Sequence, residues 1–90
     1  MLVAVICKDK PNALPLRMET RAAHLDYVAR TGVVTLAGPF LNAAGEMSGS
    51  LIVLDVADLA AAKDWAAGDP YAVAGLFASV EITEWKRAIG

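Results

Sequence analysis

The chain has 90 residues, 57% of them hydrophobic, and a formal net charge of −2, so it is long enough for one domain, residues 1–90, with a core of its own. A slightly acidic balance with scattered basic residues gives no reason to expect nucleic-acid binding. No apolar run approaches the roughly 18 residues of a membrane span. The first run, Met1–Cys7, lacks a basic leader, so a signal peptide is not expected.

The sequence contains a single cysteine, Cys7, which lies within an apolar run. One cysteine cannot form an internal disulfide, and a buried thiol is the usual state of such a residue. These features predict a soluble, cytoplasmic protein that does not bind membranes. The hydrophobic fraction nevertheless exceeds the roughly 45–50% of ordinary soluble domains. We therefore expect an additional surface to be buried against a partner.

The first half of the chain predicts a strand, a helix and a second strand. Leu2–Cys7 is a continuous apolar run, which is typical of a strand with both faces covered. A proline-containing loop follows. Pro15 suits the first turn of a helix that runs to about Thr31, and Gly32 is a suitable stop. Val33–Ala37 predicts the second strand.

The second half predicts a strand, a helix and a final strand. A flexible hairpin connection over residues 40–50 leads to the third strand, Ser50–Val56, which should run antiparallel to the second. Asp58 is a suitable N-cap for a helix over Leu59–Ala67. Alternation over Leu76–Lys86 predicts the last strand.

This order of elements, β-α-β-β-α-β, predicts an α+β ferredoxin-like fold. Right-handed crossovers would place both helices on one face of a four-stranded antiparallel sheet. The other face should carry apolar side chains from the first two strands, together with Phe77 and Trp85 from the last. A monomer rarely exposes an apolar patch of that size. We therefore expect a homodimer in which two copies pack sheet against sheet.

A single stretch of the predicted first helix contains the only histidine and two arginines. Arg17, Arg21 and His24 are spaced by four and three residues, which places them within about 60° of arc on a helix. Nearby cations disfavour an imidazolium and attract an anion, so His24 is a candidate base beside an anionic ligand. The alternatives are a histidine without function and a solvated helix face. The neighbouring helix face is predicted to be buried and consists of Met18, Ala22, Leu25 and Ala29.

Asp69, followed by Pro70, is the candidate partner of His24. An Asp-Pro pair is a helix-start signal, and capping alone would account for it. One carboxylate oxygen can cap the helix while the other faces the histidine, and such a pair orients the ring for general base catalysis. Tyr71 can supply a phenolic donor to a substrate, although packing is its simpler role.

Gly38 and Pro39 are predicted to end the second strand, and a backbone N–H exposed at this turn can contact a ligand. The alternative is a plain strand-ending turn. The sequence contains no metal-ligand cluster, Ser-His-Asp elbow or phosphate-binding glycine loop. No metal ion and no cofactor are therefore predicted.

Taken together, these residues resemble the YciI-like (YCII-related) family of small ferredoxin-like proteins. The resemblance spans nearly the whole chain in the same order. It rests on Arg17-x-x-x-Arg21-x-x-His24-Leu-x-Tyr27, Ala37-Gly38-Pro39, Gly49, Trp65-Ala-x-x-Asp69-Pro70-Tyr71 and Gly75.

The resemblance implies a dimeric α+β barrel with a pocket in each subunit. It also implies that His24 and Asp69 form a catalytic pair and that Arg21, Gly38 and Pro39 lie at the pocket wall. Some members of the family resemble lyases that eliminate halide from small chlorinated acids, a reaction begun by proton abstraction.

From the residues and the resemblance we expect a small enzyme that uses His24 as a general base, oriented by Asp69, on a small anionic organic substrate. The predicted substrate-binding residues are Arg17, Arg21, Gly38, Pro39 and Tyr71. The alternative is a non-catalytic module in which the same pocket only holds a metabolite.

Overall fold

The computed structural model describes residues 1–90 and contains one antiparallel sheet with helices on one of its faces. The strands are arranged in the order β2-β3-β1-β4. This is the predicted ferredoxin-like βαββαβ fold, with one additional short helix before the last strand. The elements are β1 (Leu2–Asp9), α1 (Leu14–Thr31), β2 (Val34–Leu41), β3 (Met47–Asp55), α2 (Leu59–Gly68), α3 (Pro70–Val73) and β4 (Phe77–Glu84).

The predicted helix ends are confirmed at three positions. Pro15 lies in the first turn of α1, and Gly32 ends that helix in the left-handed conformation at φ 66°. Asp58 caps α2 by accepting a hydrogen bond of 2.8 Å from the backbone N–H of Ala61. None of the helices combines the length and the apolar character that crossing a lipid bilayer requires.

The second strand is longer than predicted, because it continues through Gly38 and Pro39 to Leu41. These two residues pair with Leu51 and Ser50 of β3 and do not form a turn. The physical reason is the position of β2 at the edge of the sheet, where a proline is tolerated because its missing N–H need not join a ladder.

The hairpin between β2 and β3 is correspondingly shorter than the predicted flexible connection. Asn42 organises it, since its side-chain oxygen accepts hydrogen bonds of 3.0 Å from the backbone N–H groups of Ala44 and Glu46. Gly45 adopts φ 79° in this turn, and the third strand therefore begins at Met47.

The hydrophobic core lies between the sheet and α2. Alternate residues of β1 and β3 face the helices, and the burial pattern of β1 shows that one face of this strand, not both, is covered within the single chain. Trp65 packs in this core as an aromatic side chain that is 6% exposed. The cluster consists of Val3, Val5, Cys7, Ile52, Leu54, Ala62, Trp65 and Ala66.

The predicted buried face of α1 is wrong. Met18 and Leu25 are 53% and 46% exposed, whereas the buried residues of this helix are Arg17 and His24. The apolar stripe was a misleading signal, because polar side chains can occupy the interior when every hydrogen-bonding group finds a partner. The helix therefore turns its charged face toward the sheet.

Phe77 also lies on a different face from the one predicted. The pairing of β1 with β4 shifts between Lys8, opposite Ser79, and Asp9, opposite Phe77, so the strand alternation is interrupted. As a result Phe77 packs against the core on the helical side and meets the ring of Tyr71 edge-on at 6.0 Å.

Candidate functional site

His24 and Asp69 meet beneath α1, 45 residues apart in the sequence. Nδ1 of the imidazole lies 2.8 Å from Oδ1 of the carboxylate, and both side chains are almost completely buried. The predicted contact between these two side chains is therefore confirmed, and its catalytic role stays a prediction. A carboxylate oxygen accepts, so the proton of this hydrogen bond belongs to Nδ1, and Nε2 of a neutral ring carries the free lone pair.

Asp69 occupies the junction between α2 and α3, and this position gives it two functions. Its Oδ1 also accepts a hydrogen bond of 3.0 Å from the backbone N–H of Tyr71, which caps α3. The prediction that capping and pairing coexist is confirmed. The prediction of one oxygen for each is wrong, because the same atom, Oδ1, makes both contacts.

The imidazole of His24 stacks on the ring of Tyr71, with centroids 4.1 Å apart and planes inclined by 15°. Nε2 has no partner within the chain, yet no buried side-chain nitrogen or oxygen is without a hydrogen bond. Nε2 must therefore belong to the small part of the ring that reaches solvent. His24 lines the neighbouring pocket, so this nitrogen is available to a ligand there.

The two arginines of α1 differ in their surroundings. Arg17 is 2% exposed, and its guanidinium donates to both oxygens of Asp9 at 2.7 and 3.0 Å and to the hydroxyl of Ser50 at 2.9 Å. Burial by itself would lower the pKa of Arg17, but the hydrogen bonds and charge of Asp9 outweigh it and raise this pKa. Arg21 is exposed and forms no ion pair, so it is the free cation at the pocket.

Tyr71 is 2% exposed, and the charge of Arg17 and a hydrogen bond with its guanidinium act on the phenolic hydroxyl. Tyr71 also lines the pocket, together with Arg17 and Arg21. Burial raises the pKa of Tyr71, and the opposing charges of Arg17 and Arg21 do not cancel that effect. The phenol therefore remains protonated at neutral pH and can donate a hydrogen bond.

The pocket is a cavity of about 180 Å³ between α1 and the strands β2 and β3. Six of the seven predicted site residues line it, and Asp69 lies behind His24. Gly38 and Pro39 line the pocket from the edge strand β2. A Cβ atom at Gly38 would have no neighbour within 4 Å, so a larger residue would fit at this position. The remaining wall is mainly apolar and consists of Leu25, Ala37, Met47, Ser50 and Ile52.

Sequence reasoning missed Asp9 and Ser50, the two residues that hold Arg17. Asp9 was expected in a loop, but it is the last residue of β1, and Ser50 lies within β3. Neither position carries a motif, since one acidic residue between two lysines and one serine near a glycine are ordinary surface patterns. No group of three or more His, Cys, Asp or Glu side chains is arranged to hold a metal ion.

Comparison with known proteins identifies the family. A model of the YCII-related domain matches residues 1–86. The chain belongs to the YCII-related family. An uncharacterized protein of Haemophilus influenzae is 34% identical over 97 aligned residues, which cover 97% of this chain and 98% of that protein. Protein YciI of Escherichia coli is 32% identical, with the same coverage.

Among solved structures, this member of the YCII-related family is similar to 5-chloro-2-hydroxyhydroquinone dehydrochlorinase (TftG) from Burkholderia phenoliruptrix, in complex with 2,5-dihydroxybenzoquinone. The TM-score is 0.91 at 30% identity, and the match covers 98% of this chain and 96% of that one. An antibiotic biosynthesis monooxygenase matches with a TM-score of 0.57 at 12% identity, which shows a shared fold alone.

Proposed function

We propose that this protein is a small lyase that removes a proton and a halide from a small anionic organic substrate, with His24 as the general base. The observation that carries the proposal is the pairing of His24 Nδ1 with Asp69, which leaves Nε2 free at the pocket. The similarity to TftG, whose name states a dehydrochlorinase activity, supports the reaction class.

In the proposed reaction, the lone pair of Nε2 takes a proton from the substrate. The electrons of the broken bond form a new π bond, and the halide leaves with the electrons of its own bond, so no oxidant or reductant is needed. Asp69 stabilises the imidazolium that forms, because its carboxylate accepts from Nδ1 at 2.8 Å. The imidazolium later returns its proton to water.

Negative charge that develops on a substrate oxygen would meet two donors at the pocket. The guanidinium of Arg21 is unpaired, and the hydroxyl of Tyr71 remains protonated because burial raises its pKa. Donors that are already in place stabilise such charge without reorganisation. Arg17 lines the same wall, but its own charge is neutralised by Asp9.

The test is steady-state turnover of 5-chloro-2-hydroxyhydroquinone and of a panel of small halogenated acids. His24→Ala should lower kcat/KM about 10²–10⁴-fold, because general base catalysis typically accelerates a reaction by a factor of that size. Asp69→Asn should lose part of the rate, and Arg21→Gln should mainly raise KM. Asp26→Asn, at an exposed ion pair with Arg30 on the same helix, is the matched control and should leave turnover unchanged.

Two results would contradict the proposal. If His24→Ala turns over a substrate as fast as the wild type, the base is another group. If no compound on the panel reacts but 2,5-dihydroxybenzoquinone binds in a manner that depends on His24, the protein is a binding module and not an enzyme.

We also propose that the protein is a cytoplasmic homodimer formed through the sheet face opposite the helices. Leu36 and Phe40 are 44% and 37% exposed on this face. The strand register places further apolar side chains beside them, because directly opposite residues of antiparallel strands point to the same side. The face includes Ala4, Ile6, Leu36, Phe40 and Leu51.

Light scattering should therefore give twice the monomer mass of 9.4 kDa. Phe40→Glu should shift the protein toward monomer, whereas Met18→Glu, on the exposed side of α1, should not. Val5 and Phe77 lie on the opposite side, toward the helices, so charged substitutions at these positions would not test the interface. A wild-type protein that remains monomeric at high micromolar concentration would overturn the proposed assembly.

A further inference from the structure

We propose that Asp9 is a positioning residue of the candidate site and that, through Arg17, it holds the ring of Tyr71 against His24. Its importance for turnover rests on the proposed function, whereas its effect on ring geometry does not. The starting observation is a buried ion pair of Asp9 and Arg17 that no step of the proposed reaction uses. Their side chains are only 5% and 3% exposed.

The guanidinium of Arg17 is held at three points. Nε and Nη2 donate to the two carboxylate oxygens of Asp9 at 2.7 and 3.0 Å, and Nη2 also donates to Oγ of Ser50 at 2.9 Å. The acceptors come from β1 and β3, neighbouring central strands of the sheet. Because the guanidinium is planar, these three hydrogen bonds fix both its position and the orientation of its plane.

The held guanidinium lies over the ring of Tyr71, with Cζ 4.7 Å from the ring centroid. His24 stacks on the same ring at 4.1 Å. Arg17 and His24 are seven residues apart on α1, a rise of about 10 Å, which leaves space for one aromatic ring between them. Tyr71 is therefore inserted between the two side chains.

Each outer member of this stack is anchored by its own carboxylate. Asp69 holds the imidazole and also the backbone N–H of Tyr71. Asp9 holds the guanidinium at the opposite end. Because Asp9 neutralises Arg17 locally, the pair adds little net charge to the pocket, and its contribution is the position of the stack.

The stack determines where the two reactive atoms of the pocket lie. Tyr71 contributes its hydroxyl and His24 contributes Nε2, and both residues line the pocket. Release of the guanidinium would allow the phenol ring to tilt and the imidazole to lose one of its two supports. We therefore expect Asp9→Asn to lower kcat about 10–100-fold while changing KM less, as misplacement of reacting groups does.

The direct test uses the fact that His24 is the only histidine, so its ring protons give an unambiguous NMR signal. A ring stacked at 4.1 Å shifts these protons upfield, and Tyr71→Leu defines the shift without the ring current. Asp9→Asn should lose most of the upfield shift. Asp26→Asn, the same chemical change at an exposed ion pair of α1, should retain it.

Asp9→Asn leaves a buried guanidinium without its carboxylate, so a second variant protects the test against unfolding. The double variant Asp9→Asn, Arg17→Gln removes both charges and should fold. It should also lose the upfield shift, because no guanidinium then lies over the ring of Tyr71. A folded double variant that retains the wild-type histidine shift would overturn the proposal.

The wild-type protein offers a measurement that needs no variant. The Nε–H proton of a guanidinium held by Asp9 should exchange with solvent much more slowly than that of the exposed Arg21. Equal exchange rates would show that Arg17 is not held and would overturn the proposal. If His24→Ala leaves turnover intact while Asp9→Asn still releases the ring, only the proposed function fails.

Discussion

The two long helices cover the same sheet in opposite ways. The α2 helix packs Ala62, Trp65 and Ala66 onto apolar strand residues, whereas α1 buries Arg17 and His24 over the pocket. The apolar region is stabilised by the area removed from water and tolerates changes of similar volume. The polar region is stabilised by directional bonds, and every buried nitrogen and oxygen of its side chains has a partner.

This difference teaches where the chain is sensitive to small changes. Removing one methylene from the apolar region loses only part of the stabilisation that packing provides there. Removing one carboxylate from the polar region leaves a buried charge without a partner. The polar region should therefore be the less tolerant of the two, even though it contains fewer buried residues. The three predictions below test that contrast, beginning with the largest expected effect.

Asp9→Ala should reduce the free energy of unfolding by about 4 kcal/mol, because it leaves the Arg17 guanidinium buried and unpaired. Asp9→Ala combined with Arg17→Met should recover more than half of this loss, since neither charge then remains. Asp26→Ala, at an exposed ion pair, should cost at most about 0.5 kcal/mol. Urea unfolding at pH 7 measures all three, and a double variant less stable than Asp9→Ala would refute the explanation.

Leu54→Ala should reduce the free energy of unfolding by about 3 kcal/mol, because Leu54 is 0% exposed and its removal leaves a cavity. In contrast to Asp9→Ala, the variant should leave the NMR signal of His24 unchanged while it remains folded. A displaced histidine signal in folded Leu54→Ala would show that the apolar and polar regions are coupled, and the contrast would fail.

The smallest effect concerns pH and the thiol of Cys7 in the apolar region. Burial, assisted by the charge of Asp69, raises the pKa of Cys7 from 9.0 to about 12. The unfolded chain loses this proton above pH 9 or so, whereas the folded chain keeps it, so stability that is complete below pH 9 falls as pH rises toward 12.

At pH 10 this loss should be on the order of 1 kcal/mol, which corresponds to about one pH unit above the pKa of the unfolded thiol. Cys7→Ala lacks the thiol and should lose correspondingly less stability between pH 8 and pH 10, while tyrosines titrate equally in both proteins and cancel. Urea unfolding of the two proteins at both pH values measures the difference. An identical loss in both would show that the thiol is not protected in the folded state.

Much of the architecture could be predicted from the sequence because local signals and topology agreed. Pro15, Gly32 and Asp58 mark helix ends through backbone chemistry that depends on few neighbours, and the structure confirms all three. The order of the elements then left the ferredoxin-like arrangement as the economical way to pack two long helices on one antiparallel sheet. The contact between His24 and Asp69 followed from their chemistry and from the family resemblance.

What the sequence could not determine depends on strand order, register and partners distant in the chain. Gly38 and Pro39 read locally as a strand end, and only the edge position of β2 makes them part of a strand. Phe77 changes face because the ladder with β1 shifts at Asp9. Such features belong to pairs of strands, so no single segment contains them.

The buried face of α1 shows the same limit most clearly. Helical periodicity favoured the stripe of Met18 and Leu25, yet the tertiary structure buries Arg17 and His24 instead. Their burial is favourable because Asp9 and Asp69 meet them from β1 and from the start of α3. Periodicity measures the apolar character of a face, whereas the cost of burying a charge depends on which groups the rest of the fold brings to it.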